Sequence, residues 1–574
     1  MRASALAGFL GVFVASSSFA AWPSDPLQNV PICTANGYQG PPFMLADGAG
    51  GTILIWADLR DSPAPQKPGI YAQRVDVNAF SVWEPNGSPI LANGTDYVSF
   101  DAATTDGAGG AYVAWVNSTE GGTVRVQHVG ADGLPSWSPT GVDVGQGQAI
   151  RMIPDGASGV IVVWRSWEGI GNSLGIRAQR LDAAGSTGWG PSGALLRTAS
   201  AELPHDMHLV EDGEGGVLAA WMQNATGGTD WQVRCQGVAS SGDITMDPAG
   251  QVLASGANQY RVAAAADGAH GGVVAWVVLE SASLSSVRAQ RVGPDGQLLW
   301  PLSGVVLGTN TLYTPNDIMA CASGSEDVIV AWKLVDLEGT RIQAQKVAPT
   351  GTPLWPEGGV TVSRPTHTDM ISLAMHGDGT GGAFLAYVDV QIDVSDWSQE
   401  LNVAAARVTA DGDTPWGPYG VAISNAHGWQ EAPAIAADGE GGAIIGWRDA
   451  RYGETTPRGT DVYAQNVHAD GTMGGGLASV QPGATALSAR VWPQPSRSHV
   501  ELAFTSPGGL AAVTIFDPQG RRIRELLRET VAVGETRLRW NGLDDSGATA
   551  RAGLYFVAIT TGGREIVRKI VLEH

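Results

Sequence analysis

One motif that returns at nearly even spacing constrains this chain more than anything else in it. The string Asp-Gly-x-Gly-Gly, or a close variant, starts at Asp47, Asp106, Asp155, Asp212, Asp267, Asp378 and Asp438, with a degenerate copy at Ser323. Nine residues after each start stands an aromatic: Trp56, Trp115, Trp164, Trp221, Trp276, Trp332, Tyr387 and Trp447. A repeat of about 55 residues implies stacked supersecondary units, each too small to bury its apolar face alone. Glycine makes up 78 of the 574 residues, about twice the usual share of ~7%. Those glycines are neither at every third residue nor in runs, which excludes a collagen helix and a low-complexity chain.

A second signature, roughly Tyr-Ala-Gln-Arg-Val, follows at 71–75, 176–181, 287–292, 342–347 and 462–467, with looser forms elsewhere. A turn then leads to a Trp with a Gly four residues on. The pairs are Trp83/Gly87, Trp137/Gly141, Trp189/Gly193, Trp300/Gly304, Trp355/Gly359 and Trp416/Gly420, with Met246/Gly250 in one repeat. Each repeat reads as four short strands, illustrated by 434–437, 443–447, 462–467 and, in the preceding repeat, 420–424. Asp-Gly and Gly-Gly between alternating apolar runs are hairpin signals, because such turns need positive φ. Eight such units read as an all-β, eight-bladed propeller, with seven blades as the alternative. The last repeat loses its fourth-strand Trp within 473–480, whereas residues 22–30 read as an orphan fourth strand carrying Trp22. The N-terminal segment is therefore expected to complete the last blade and remove two open edges.

The address comes from the ends and the charge. A basic start at Arg2, an apolar run over 5–15 and small residues up to Ala20 read as a signal peptide over residues 1–20. Its apolar run is too short to span a bilayer. No other segment qualifies, so no transmembrane segment is expected in the mature chain, which is secreted or held at the outer cell surface. Thirty-four basic against 56 acidic side chains give −22, which disfavours nucleic acid as a partner. Cys33, Cys235 and Cys321 lie far apart with no Cys-x-x-Cys, so neither a zinc site nor a disulfide framework is expected. No cofactor is expected either.

Near residues 483–488 a small-residue linker ends the repeats that occupy 21–482. Residues 489–574 carry 12 basic and 9 acidic side chains, and their alternating runs predict a small antiparallel sandwich. The segments 491–496, 513–526, 534–547, 552–559 and 567–572, in that order, resemble the C-terminal sorting domain of type IX secretion substrates. They are equally similar to the Ig-like domain of flagellar hook-capping proteins. Gln494-Pro495 stands where the sorting domains usually have Asn-Pro. The resemblance implies passage across the outer membrane through its secretion machinery, with Gly520, Arg521, Gly553, Tyr555, Arg568 and Lys569 as the matching motif residues. The repeats themselves resemble arrays common in exported bacterial proteins that carry such sorting domains.

In a propeller, the first-to-second and third-to-fourth turns share one face. The aspartates there read as turn residues accepting local hydrogen bonds, with no calcium-loop spacing. The second-to-third loops and the unit-to-unit links share the other face, where lengths vary from 12 to 19 residues between aromatic and Gln positions. Variable loops on a rigid scaffold carry function. Of 20 tryptophans, Trp167, Trp231, Trp397 and Trp429 fit neither repeat position nor the C-terminal domain, and all map to this variable face. Tyr38, Tyr97, Tyr260, Tyr313, His205, His367 and His427 are placed in its links. Aromatic rings beside polar groups suit stacking on sugars or anchoring a protein partner. His205 and His208 are one pair with metal-ligand spacing, but residues three apart on a strand face opposite ways. The hairpin is similar to the Asp-box of sialidases, yet its Asp-to-Trp spacing is longer and no arginine cluster is evident. The reading leans away from catalysis and towards non-catalytic binding of a glycan or surface protein. The alternatives are a glycoside hydrolase or lyase using carboxylates at the channel mouth, or a structural surface component.

Overall fold

The computed structural model describes residues 22–572 apart from 61–66, 93, 95, 169–173, 201–203, 225–230, 257, 282–283, 311–316, 325, 337–338, 366–368, 393–398, 453–458, 475–488, 493–495, 497–498, 519–520 and 562–563. The signal-peptide segment, the 483–488 linker, Trp397, Tyr313, His367 and Gly520 lie outside the described residues. The chain divides into two compact units between residues 475 and 476. Every regular element described is a β-strand. Among the described residues no helix is long and apolar enough to cross a membrane.

In the first unit the strands form six four-stranded antiparallel sheets and one seven-stranded sheet. One repeat shows how the sequence builds a sheet: Gln259–Ala266, Gly272–Ser281, Leu284–Val292 and Val305–Asn310 pair in that order. The Asp-Gly-x-Gly-Gly turn closes the first hairpin, because Asp267 Oδ1 accepts from the amides of Ala269 and Gly271 at 2.9 Å each. Its glycines serve different ends. Gly48 sits at φ +73, a region L side chains rarely adopt. Gly51 has ordinary φ, but a Cβ there would collide with the Val75 carbonyl oxygen.

Second strands such as Ala111–Asn117 are buried along their whole length, since sheets cover both of their faces. The aromatic position lies at the centre of this core: Trp56, Trp115, Trp164, Trp221, Trp276, Trp332, Tyr387 and Trp447 are all at most 1% exposed. The Gln of the second signature clamps the Trp turn. Gln73 accepts from the Trp83 amide at 2.9 Å and donates to the Glu84 carbonyl at 2.8 Å. The turn Trp then reaches the next repeat, as when Trp83 Nε1 donates to Ala131 O at 2.9 Å.

First strands of consecutive repeats contact one another, and that of the last repeat, Gln430–Ala437, contacts that of the first, Phe43–Ala46. The N-terminal strand Val30–Cys33 pairs with Asp461–Val467, the third strand of the last repeat. One feature departs from the sequence reading. Val142–Pro154 is a single 13-residue strand that ends the second repeat and begins the third, joining them into the seven-stranded sheet. It pairs backwards over 142–146 and forwards over 147–154. The link is too short to leave the sheet, so the backbone runs straight on. The three cysteines are free thiols on three different sheets.

In the second unit, Ala489–Trp492, Val500–Phe516, Arg522–Trp540, Gly553–Thr561 and Arg564–Leu572 make one five-stranded antiparallel sheet. The short runs read as separate strands merge here into 17- and 19-residue strands. Pairing continues through Pro507, opposite Val533, and Gly509, opposite Val531. The core gathers Val513, Ile515, Trp540, Tyr555, Val557 and Ile559. Of the expected sorting residues, Tyr555 packs edge-on against Trp540 at 5.3 Å and donates to Arg551 O at 2.7 Å. Arg521 pairs with Asp517 at 2.7 Å. Gly553 opens the strand that carries Tyr555, and Arg568 and Lys569 are exposed on the last strand.

Candidate ligand-binding site

The repeated Asp-Gly-x-Gly-Gly turns use up their own polar groups. Asp155 accepts from the amides of Ala157 at 2.8 Å and Gly159 at 2.6 Å through Oδ1, and from Arg180 Nε at 2.8 Å through Oδ2. The Asp of the first signature and the Arg of the second thus meet as one partly buried pair, the carboxylate inside and the guanidinium reaching the surface. The same pairing joins Asp47 to Arg74, Asp267 to Arg291 and Asp378 to Arg407. Burial alone pushes the Asp155 carboxyl up, but the two amides and Arg180 outweigh it and hold it below the usual range. Among the described residues no group of three His, Cys, Asp or Glu side chains is placed to hold a metal ion.

The opposite ends of the first strands differ. Ala149, Asp206, Arg261, Ser372 and Ala432 have φ between 45 and 57, and each stands six residues before its repeat's Asp. Register shifts fall at the same places: Val163/Arg165, His205/His208, Tyr260/Val262, Ile371/Ala374 and Glu431/Ala434. A recurring β-bulge with a left-handed non-glycine residue re-aims the flanking side chains at a cost of roughly 1–2 kcal/mol each. Bulges of this kind concentrate next to functional sites.

The expected site residues scatter over this end. Trp167, Trp231, Tyr260 and His205 lie on strands rather than in loops or links, because the strands begin earlier and end later than the sequence suggested. Tyr38 lies beneath the Arg448 guanidinium at 5.3 Å and hydrogen-bonds to it. Tyr97 lies under the Lys67 ammonium at 4.5 Å. Trp429 donates to Gln399 O at 3.0 Å, beside a hydrogen bond between His427 Nδ1 and Glu400 Oε1 at 2.9 Å. Trp167 borders a cavity of about 250 Å³ that also holds the Glu168–Arg177 pair. Among the described candidates, only His205 and Trp231 come into ring contact, edge-on at 5.4 Å.

Beside them is a cavity of about 240 Å³ lined by Ala149, Arg151, Arg165, Pro204, His205, Asp206 and Met207. It lies where the first strands of the third and fourth repeats meet. Sequence reasoning found no arginine cluster, and the fold makes one here: Arg151 and Arg165 come from different strands, 14 residues apart. Aligning the repeats gives a partial signal. The residue after the core aromatic is cationic in three repeats, at Arg165, Lys333 and Arg448. His208, on the same strand as His205, is held near pKa 4 by burial first and by Arg151 second.

Residues 488–564 match the model of one family, the FlgD Ig-like domain. No curated protein matches the chain. Among solved structures, a polysaccharide lyase aligns over 69% of this chain and 90% of its own, at 7% identity and a TM-score of 0.37. A protein of unknown function from Dyadobacter fermentans aligns over 56% and 98%, at 11% identity and 0.33. PorZ, described as a surface component of the type IX secretion system of Porphyromonas gingivalis, aligns over 94% and 100%, at 10% identity and 0.15. At such scores these likenesses say nothing of what this chain binds.

Proposed function

We propose that residues 21–482 form an eight-bladed propeller that binds glycan without cleaving it. The seven-stranded sheet counts as two blades sharing one strand, and the Val30–Cys33 strand completes the last blade. Supporting the closed ring are the contacts between first strands all the way round, back to the first repeat. The glycan reading is carried by one observation: His205, in edge-on ring contact with Trp231, lines a cavity that also holds Arg151 and Arg165, in a row of bulged strands. Aromatic faces take the apolar side of a sugar while charged neighbours take its hydroxyls. Trp167, Trp429, Tyr38, Tyr97 and Tyr260 are peripheral contacts in this reading.

The second unit, 489–574 after a 483–488 linker, is the export module, recognised by outer-membrane secretion machinery after removal of residues 1–20. The match over 488–564 supports its Ig-like character. The destination is the outer surface or the medium.

The test is a panel of immobilised polysaccharides and proteins presented to the full chain, with retention and released product recorded together. Retention on glycan without product supports the reading. Defined oligosaccharides in the supernatant replace it with a hydrolase or lyase. Retention on protein alone, or none at all, removes the glycan claim.

A further inference from the structure

The chain carries a net charge of −22, yet its cavity at the third and fourth repeats is locally positive. Arg151 Nε donates to Met207 O at 3.0 Å and Nη1 to Ile150 O at 2.9 Å. Arg165 Nη1 donates to Pro204 O at 2.8 Å, and its Nε is buried without a partner. These anchors are carbonyl oxygens, so they fix the guanidinium groups without neutralising them. Among the described residues neither arginine makes an ion pair. The cationic residue after the core aromatic is neutralised elsewhere: Lys333 by Asp369 at 3.3 Å, and Arg448 by Glu431. In the third repeat that role is vacant.

The surrounding groups respond to this field. Burial first, and then Arg151, pulls the Arg165 pKa down, while Asp101 opposes the shift. Burial and then Arg165 lower His205, against Asp206. Of the two carboxylates nearby, Asp206 leans to Arg261 at 3.7 Å, and Asp101 accepts from the Ile150 amide at 3.3 Å. Two guanidinium groups braced at one cavity suit an anionic group that presents two oxygens, which arginine grips with paired N–H donors.

We propose that Arg151 and Arg165 bind the anionic substituent of an acidic sugar, a uronate carboxylate or a sulfate ester, whose ring lies against Trp231 and His205. The inference deepens the glycan reading above and rests on it. A cavity of about 240 Å³ takes one ring or its substituent, the rest of the glycan lying outside. The net negative charge repels long polyanions, although salt screens this beyond about 8 Å at physiological strength. Short oligosaccharides are therefore the suitable probes.

The experiment is calorimetric titration of the full chain with trigalacturonate, its full methyl ester, a neutral trisaccharide, and that trisaccharide bearing sulfate esters. Binding of the uronate or sulfated probe, at least about tenfold tighter than its uncharged counterpart, is expected; which one binds names the group. Arg165→Gln is expected to lower affinity for the charged probe about tenfold or more and leave that for the uncharged one unchanged. Arg151→Gln, at an exposed position, serves if the first variant does not fold. Equal affinity for charged and uncharged probes, or charged-probe affinity untouched by both variants, overturns the anion claim while the glycan reading stands. If none of the four probes binds, the anion claim falls, and if the polysaccharide panel is also silent, the glycan reading falls with it.

Discussion

Trp22 Nε1 donates to the carbonyl oxygen of Val77 at 2.9 Å, tying the N-terminal segment to a turn of the first repeat. The bond copies the one that each turn tryptophan makes to the next repeat, such as Trp300 Nε1 to Pro349 O at 2.9 Å. Gln465 of the last repeat donates to Pro23 O at 2.9 Å, as Gln73 does to Glu84 O. Arg451, also of the last repeat, reaches Asn29 at 2.9 Å. Chain segments more than 400 residues apart are thereby built into one sheet.

Trp22 is 2% exposed, so Trp22→Ala should cost about 3–5 kcal/mol. The expected signs are a lower melting temperature and early proteolysis of the N-terminal strand. An unchanged melting temperature would show that the closing strand does not hold the unit together.

The Asp155–Arg180 pair predicts a graded loss. Asp155→Ala leaves two amides and a guanidinium without their acceptor and should cost about 2–4 kcal/mol. Asp155→Asn keeps an oxygen for the amides and should cost less. Thermal unfolding of the three proteins gives the order, and equal losses would mean that the turn bonds contribute nothing beyond the ion pair.

His208 predicts acid sensitivity. Its folded pKa of about 4 lies below the unfolded value of ~6.5. Above the unfolded value both states are neutral and stability is full. As pH falls from there towards 4 the unfolded state takes a proton that the folded state refuses, at a slope of at most about 1.4 kcal/mol per pH unit. Chemical denaturation at pH 7 and pH 5 should show the loss, and His208→Asn should flatten it. A variant with the parent's slope would assign the sensitivity to other groups.

Trp231 and Trp429 should separate binding from structure. Trp231→Ala should weaken glycan retention about tenfold or more, and since Trp231 also packs against the core around Val233 and Leu253 it should lower the melting temperature too. Trp429 hydrogen-bonds to the Gln399 carbonyl, so Trp429→Ala should lower the melting temperature by a degree or two and leave retention nearly unchanged. The reverse pattern would move the site to the last repeats.

Much of the scaffold was legible because turn chemistry is local. A glycine at φ +73, or one with no room for a Cβ against Val75, leaves the same mark in every repeat. The site was less legible because it is made by juxtaposition. Arg151 and Arg165 belong to different strands, and no spacing rule joins them. The bulge positions hold Ala, Asp, Arg, Ser and Ala, residue types with no shared preference, so only the offset to the next Asp betrays them. The continuous strand over 142–154 was hidden for a related reason: it contains Gly145 and Gly147, yet Gly147 lies where a Cβ would strike the Arg165 carbonyl. Close backbone approach, rather than a turn, explains that glycine.

The central claim is that a glycan sits at the cavity lined by His205, next to Trp231. Hydrogen exchange of the full chain, with and without a polysaccharide that it retains, tests this most directly. Protection over residues 204–208 and 231–235, with the Asp-Gly-x-Gly-Gly turns unchanged, is the predicted result. Protection confined to those turns, or to residues 489–574, would contradict it.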